Sequence, residues 1–200
     1  MTLIFQQIFF LLLAYLISSI PFGLLLSKIF AKTDIRKHGS GNIGATNVAR
    51  TLGKKLGILT LLLDGAKGAL MVIIARFSFA QLNHLHFYLV IVSFVVIVGH
   101  IYPVYLRFKG GKGVATTLAT ILALNITSGF IACCLWVLVF SYCRISAVAS
   151  LVAIFSTIMT SYSNNAPIEE IILTIVIFLL ILYRHKENLT RLLLGKENKF

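Results

Sequence analysis

The sequence predicts an all-α polytopic membrane protein, and three observations carry that reading. Hydrophobic residues make up 58% of the 200, mean hydropathy is +0.95, and only 12% of residues are charged, against about a quarter in a soluble domain. The apolar residues form long continuous runs, which argues against the alternating pattern of a β-barrel. The basic residues lie between or after those runs, where topology signals are expected.

A spanning helix needs roughly 20 apolar residues. Clear candidates are 3–27, 56–76, 86–106, 146–162 and 167–184. The first starts with MTLIFQQIFF, which lacks a basic n-region and a small-residue cleavage site, so it reads as a retained span rather than a signal peptide. Residues 113–145 are too long for one span. Asn125, Ser128 and Gly129 offer a break, and splitting there gives two short helices and seven spans in all. Charge placement supports seven. With the N-terminus outside, residues 28–55, 107–112, Arg144 and the basic residues of 184–199 all face the cytoplasm, whereas six spans would strand the basic tail outside. Arg76 then falls in an outer loop, and Glu169 and Glu170 at the outer end of the last span. No internal repeat of the transporter kind is visible, and the chain reads as a single integral-membrane domain over 1–200.

Net charge is +12, from 18 Lys+Arg against 6 Asp+Glu. On a soluble chain that would suggest nucleic acid, but no basic face interleaved with exposed aromatics is present, so no nucleic-acid partner is expected. Cys133, Cys134 and Cys143 lie in apolar sequence with no ligand spacing. No carboxylate cluster suggests a Mg²⁺ site. No metal or other cofactor is expected.

Polar chemistry gathers in three segments, all on one membrane face in the seven-span topology. Residues 34–55, DIRKHGSGNIGATNVARTLGKK, mix Gly39, Gly41 and Gly44 with Ser40, Asn42, Thr46 and Asn47. Arg50 follows, able to grip a phosphate bidentately. The plainer reading is a flexible loop. Residues 99–117, GHIYPVYLRFKGGKGVATT, run a glycine-rich turn into a helix. Helix-terminal N–H groups and the macrodipole would there meet the full charges of Lys109 and Lys112, beside Gly110, Gly111 and Gly113. A Walker A loop is absent, so an ATPase reading fails while a phosphate site survives. His100, alone near the end of its span, reads as a packing residue. Residues 183–197, YRHKENLTRLLLGKE, place His185 and Asn188 on one face if the last helix continues; the plainer reading is a basic amphipathic tail on anionic lipid. Asp64 and Lys67, three apart inside a span, can pair as a supporting ion pair.

There is no G-x-S-x-G nucleophile elbow and no H-x4-D pattern, so direct transfer between two bound substrates fits better than a covalent enzyme intermediate. A transporter of a small phosphorylated anion is the main rival. It would need polar groups along a route through the membrane, and here they gather on one face.

At these segments the chain resembles the bacterial acyl-phosphate-dependent glycerol-3-phosphate acyltransferases. SIPFGLLLSK with the 34–55 segment looks like that family's first motif, 99–117 like the second, and HKENLTRLLLGKE like the third, with Leu189 where isoleucine is more usual. The resemblance implies transfer of a fatty acyl group from acyl phosphate to the 1-hydroxyl of glycerol 3-phosphate, giving lysophosphatidic acid and phosphate. It also implies a multi-pass bacterial inner-membrane enzyme of phospholipid synthesis with its site on the cytoplasmic face. Carried over by motif, Ser40, Asn42, Thr46, Asn47 and Arg50 would hold one phosphate-bearing substrate, and Lys109, Gly110, Gly111, Lys112 and Gly113 the other. His185 and Asn188 would position the glycerol hydroxyl or the reacting carbonyl, with Ser40 counted among the catalytic groups. Partners implied are the two substrates and membrane lipids; contact with other phospholipid-synthesis enzymes stays open.

Overall fold

The computed structural model describes residues 2–200 and contains ten α-helices and no strand among them. It divides into two compact units, Met1–Leu124 and Asn125–Phe200.

In the first unit the expected opening span is two helices, α1 (Leu3–Ser18) and α2 (Phe22–Ala31). Pro21 separates them, because proline has no N–H to donate and its ring drives the preceding residue out of helical conformation. A 3-10 turn (Ile35–Lys37) and α3 (Ala45–Leu52) follow. They fold over α2 on an apolar cluster of Leu24, Ile35, Ile43 and Val48. Gly53, at φ +97°, turns the chain into α4 (Lys54–Ser78), and α5 (Leu85–Ile101) runs back. Polar side chains fix α1 to α5. Tyr15 Oη donates to Tyr102 O at 2.7 Å, Tyr88 Oη to Gln7 O at 3.0 Å, and the Ser18 hydroxyl to Val96 O.

The break expected within 113–145 is present. α6 (Val114–Leu124) has 11 residues, and α7 (Ile126–Cys143) starts after Asn125. At 1.5 Å per residue α6 is only about 16 Å long. It packs on α4 through small residues: Gly65 faces Ala115 and Ala119, and Gly68 faces Thr116 and Thr120, the close approach that stabilises helix pairs in lipid. Thr116 Oγ1 donates to Asp64 O at 2.8 Å. So short a helix leaves its terminal carbonyls in apolar surroundings, and one guanidinium meets them: Arg76 Nη2 donates to Ala123 O at 2.9 Å and Leu124 O at 3.0 Å. Arg76 was expected in a loop; it lies in the last turn of α4 because this capping needs it there.

The second unit contains α7, α8 (Ser146–Ser163), α9 (Ile168–Arg184) and α10 (Lys186–Leu193). Asn125 caps α7 by accepting the Ser128 N–H at 3.2 Å. Its own Nδ2, with Ser161 Oγ, donates to Glu170 Oε1 at 2.8 and 3.1 Å. The buried Glu170 carboxylate thus joins the starts of α7 and α9 to the end of α8. Phe200 N donates to Arg144 O at 2.9 Å, which brings the end of the chain back to the α7–α8 turn.

Among the described residues, five helical stretches are long and apolar enough to cross a membrane: Leu3–Ala31, Lys54–Ser78, Leu85–Leu106, Ile126–Cys143 and Ser146–Ser163.

Candidate functional site

The loop before α3 is built around one side chain. Asn47 is buried, and its carboxamide is spent on backbone. Nδ2 donates to His38 O at 3.0 Å and Asn42 O at 2.8 Å, while Oδ1 accepts the Ser40 N–H at 2.9 Å. Gly39 (φ +59°) and Gly41 (φ +71°) supply the left-handed backbone of that turn. Asn42 Oδ1 accepts the Gly44 N–H at 3.2 Å, closing a second small turn just before α3. Asn47 therefore shapes the loop from inside, whereas Ser40 is exposed on it and Asn42 half-exposed. Thr46 and Arg50, four apart on α3, occupy one helical face. Ahead of the loop, the Arg36 guanidinium binds Asp34 at 2.6 Å and holds that carboxyl well below the usual carboxylate range.

The glycine turn of residues 109–113 is tied to the end of α5. Gly110 N donates to Ile101 O at 3.1 Å and Gly111 N to His100 O at 3.2 Å. These two glycines do not bare their amides for a ligand. They are small because the turn lies on α5: a Cβ at Gly110 would meet Ile101 O at 2.7 Å, and one at Gly111 would collide with the His100 imidazole. Gly113 has φ +87°. The helical ladder of α6 begins at Thr117 N to Gly113 O, so the N–H groups of residues 114–116 precede it and point out of the helix end. Lys112 is half-buried beside them and Lys109 exposed. The groups here chemically able to donate to an anion are the first-turn amides of α6 and the two lysines, while the amides of Gly110 and Gly111 hold the turn to α5.

Beneath this turn the expected ion pair is present. Lys67 Nζ lies 2.8 Å from Asp64 Oδ1. His100, a residue the sequence alone marked only as packing, has Nδ1 3.7 Å from the same oxygen.

In the second unit α9 stops at Arg184 and α10 starts at Lys186, so His185 sits at a junction rather than within one continuous helix. Its Nδ1 is 2.8 Å from Ile181 O. A carbonyl only accepts, so Nδ1 carries the hydrogen, and in the neutral ring the lone pair belongs to Nε2. Asn188 Nδ2 donates to Glu197 Oε1 at 2.5 Å, and Arg191 Nε to Glu197 Oε2 at 2.8 Å. Glu197 was missed by sequence reasoning. Its signal was scarcity, since it is one of only 6 acidic residues in a strongly basic chain. Among the described residues no three His, Cys, Asp or Glu side chains cluster as a metal site would.

Comparison with known proteins follows this geometry. The family description "Glycerol-3-phosphate acyltransferase" matches residues 8–195. A protein of that name from Wolbachia pipientis is 42% identical over 195 residues, covering 98% of this chain and 99% of its own. One from Gluconobacter oxydans is 44% identical over 197 residues, covering 96% and 92%, and one from Aquifex aeolicus is 39% identical, covering 98% and 100%. The fold is similar to the crystal structure of PlsY (YgiH), an integral membrane glycerol 3-phosphate acyltransferase. Its glycerol 3-phosphate form superposes with TM-score 0.91 at 39% identity, covering 98% of this chain and 96% of that one. Its lysophosphatidic acid form gives 0.87 at 38% identity, covering 98% and 95%.

Proposed function

The chain belongs to the glycerol-3-phosphate acyltransferase family, and from that premise we propose that it transfers a fatty acyl group from acyl phosphate to the 1-hydroxyl of glycerol 3-phosphate. The products are lysophosphatidic acid and inorganic phosphate. The observation that carries this reading is the glycine turn hydrogen-bonded to α5, which presents the start of α6 and Lys112 together, in a chain 39% identical to an enzyme solved in a glycerol 3-phosphate form.

The acceptor hydroxyl oxygen attacks the acyl carbonyl, the bond from that carbon to the phosphate oxygen breaks, and phosphate leaves with the electron pair. The hydroxyl proton passes to a phosphate oxygen of a substrate. Phosphate is a good leaving group, so the protein needs mainly to align the reactants and neutralise charge; alignment can contribute roughly 7–11 kcal/mol. Ser40 and Asn42, on the loop that Asn47 shapes, and Thr46 and Arg50, on α3 just after it, hold one phosphorylated substrate. Lys109, Lys112 and the turn of Gly110, Gly111 and Gly113 hold the other. His185 and Asn188 position the hydroxyl or the carbonyl.

The whole chain acts as one catalytic domain in the bacterial inner membrane. It crosses seven times, with α6 and α9 added to the five long stretches, and keeps its N-terminus outside and its three polar segments cytoplasmic. The distribution of basic residues supports this topology.

The test follows lysophosphatidic acid formation by the purified protein from glycerol 3-phosphate, with palmitoyl phosphate as donor (inorganic phosphate released) and, in parallel, palmitoyl-CoA (free thiol released). Product with palmitoyl phosphate alone is expected. Turnover only with palmitoyl-CoA would overturn the donor assignment, and none with either would overturn the reaction.

A further inference from the structure

Asp64, Lys67 and His100 are 2%, 5% and 4% exposed, yet the proposed reaction uses none of them. Ionisable groups inside a membrane protein are costly unless they pair or serve the site. These three make a continuous path. Lys67 Nζ donates to Ile20 O at 2.8 Å, and Ile20 lies in the break between α1 and α2. Lys67 is also 5.6 Å from the Phe22 ring centroid, across the same break. Its other contact, Asp64 Oδ1 at 2.8 Å, is shared with His100 Nδ1 at 3.7 Å. His100 then reaches the glycine turn twice. Its carbonyl accepts the Gly111 N–H, and its ring fills the space that a side chain at 111 would need.

We propose that Lys67, Asp64 and His100 are positioning residues that lock the glycine turn against the α1–α2 break, and so set the affinity of the phosphate held by Lys112 and the start of α6. The proposal rests on the reading of that turn as a phosphate site. The Lys67–Asp64 pair lies within α4, and the links on either side of it join separate elements: Lys67 to Ile20 in the α1–α2 break, and Asp64 to His100 on α5. Loosening one lets the turn drift from the donors it presents. A displacement near 1 Å is enough to weaken a site built on fixed amides. The effect falls on binding of one phosphorylated substrate, not on the pH at which the reaction runs.

The experiment uses full-length protein in lipid nanodiscs and compares His100→Gln, the charge-free pair Asp64→Asn/Lys67→Met, and Lys112→Ala. Two readouts are taken: steady-state kinetics for both substrates, and calorimetric binding of inorganic phosphate. His100→Gln and the charge-free pair are expected to raise, by about tenfold, the KM of the same substrate that Lys112→Ala affects. Their kcat should stay within about threefold and the pH profile should keep its midpoint. Phosphate affinity should weaken by a similar factor, and His100→Gln combined with Lys112→Ala should cost less than the product of the two. The proposal is overturned by unchanged KM and phosphate affinity, by loss of kcat with a shifted pH profile, or by equal KM increases for both substrates together with a melting temperature lowered by more than about 4 °C. If wild-type protein released no phosphate at all, the reaction would be wrong, and the phosphate titration alone would decide the relay.

Discussion

Asn47 Oδ1 accepts the Ser40 N–H at 2.9 Å while the same carboxamide donates to His38 O and Asn42 O. One side chain seven residues downstream therefore sets the backbone on which Ser40 is presented. Asn47→Asp keeps the size but turns the two-donor edge into an acceptor facing two carbonyls. It should lower turnover at least a hundredfold and destabilise the protein by about 2–3 kcal/mol. Phosphate-release kinetics beside thermal unfolding check this, and near-normal activity would show that the loop does not depend on the carboxamide.

Gly110 and Gly111 are small because α5 lies against them. Gly110→Ala meets backbone carbonyls that cannot move aside, and should be the more damaging of the two. Gly111→Ala meets a side chain, the His100 ring, and should mainly raise the KM of one phosphorylated substrate. Parallel kinetics of the two variants test the order, and a more active Gly110→Ala would contradict the packing described.

His185 has its Nδ1 hydrogen committed to Ile181 O. If a substrate phosphate takes the acceptor proton, His185→Ala should reduce kcat by about ten- to a hundredfold yet leave the pH profile in place. Complete loss of turnover with retained substrate binding would instead make His185 the base.

Glu170 accepts from Asn125 and Ser161 inside the second unit. Glu170→Leu strands the buried Ser161 hydroxyl and the half-buried Asn125 amide, and should cost about 2–4 kcal/mol of stability, with KM for both substrates unchanged in the folded fraction. Denaturation followed by kinetics at low temperature separates the two effects.

The Arg36 side-chain hydrogen bond depresses the Asp34 carboxyl. A carboxyl lowered on folding adds stability that is fully present above its unfolded value of about 4, and loses it as pH falls through the folded value. From pH 8 to 5 the pair should contribute a constant amount. Both groups are partly exposed, 46% and 20% for Arg36 and Asp34, so Asp34→Asn should cost only about 0.5–1 kcal/mol, including its cap to the Arg36 N–H. Unfolding at pH 7 and pH 3 checks both the size and the direction.

Much of this was legible in the sequence, for physical reasons. Apolar runs give helices in a membrane setting, and the turn formers near Asn125 marked the break between α6 and α7. Asp64 and Lys67 stood out because charge inside an apolar run demands a partner. What stayed hidden depends on contacts distant in sequence. Nothing local to His100 announces Asp64, and nothing near Asn188 announces Glu197. The sequence reads the glycine turn as an anion site with bare amides. Two of them proved to be tied to α5, which only the packing of Gly110 and Gly111 on that helix could reveal.

Arg76 carries one more lesson. Its guanidinium closes the last carbonyls of α6, so its charge is fixed by what a truncated helix lacks and not by which side of the bilayer it should face. Tallies of positive residues used to orient such a chain will miscount wherever an arginine has been recruited this way, and a sequence editor who removed it to sharpen the bias would unravel the short helix instead.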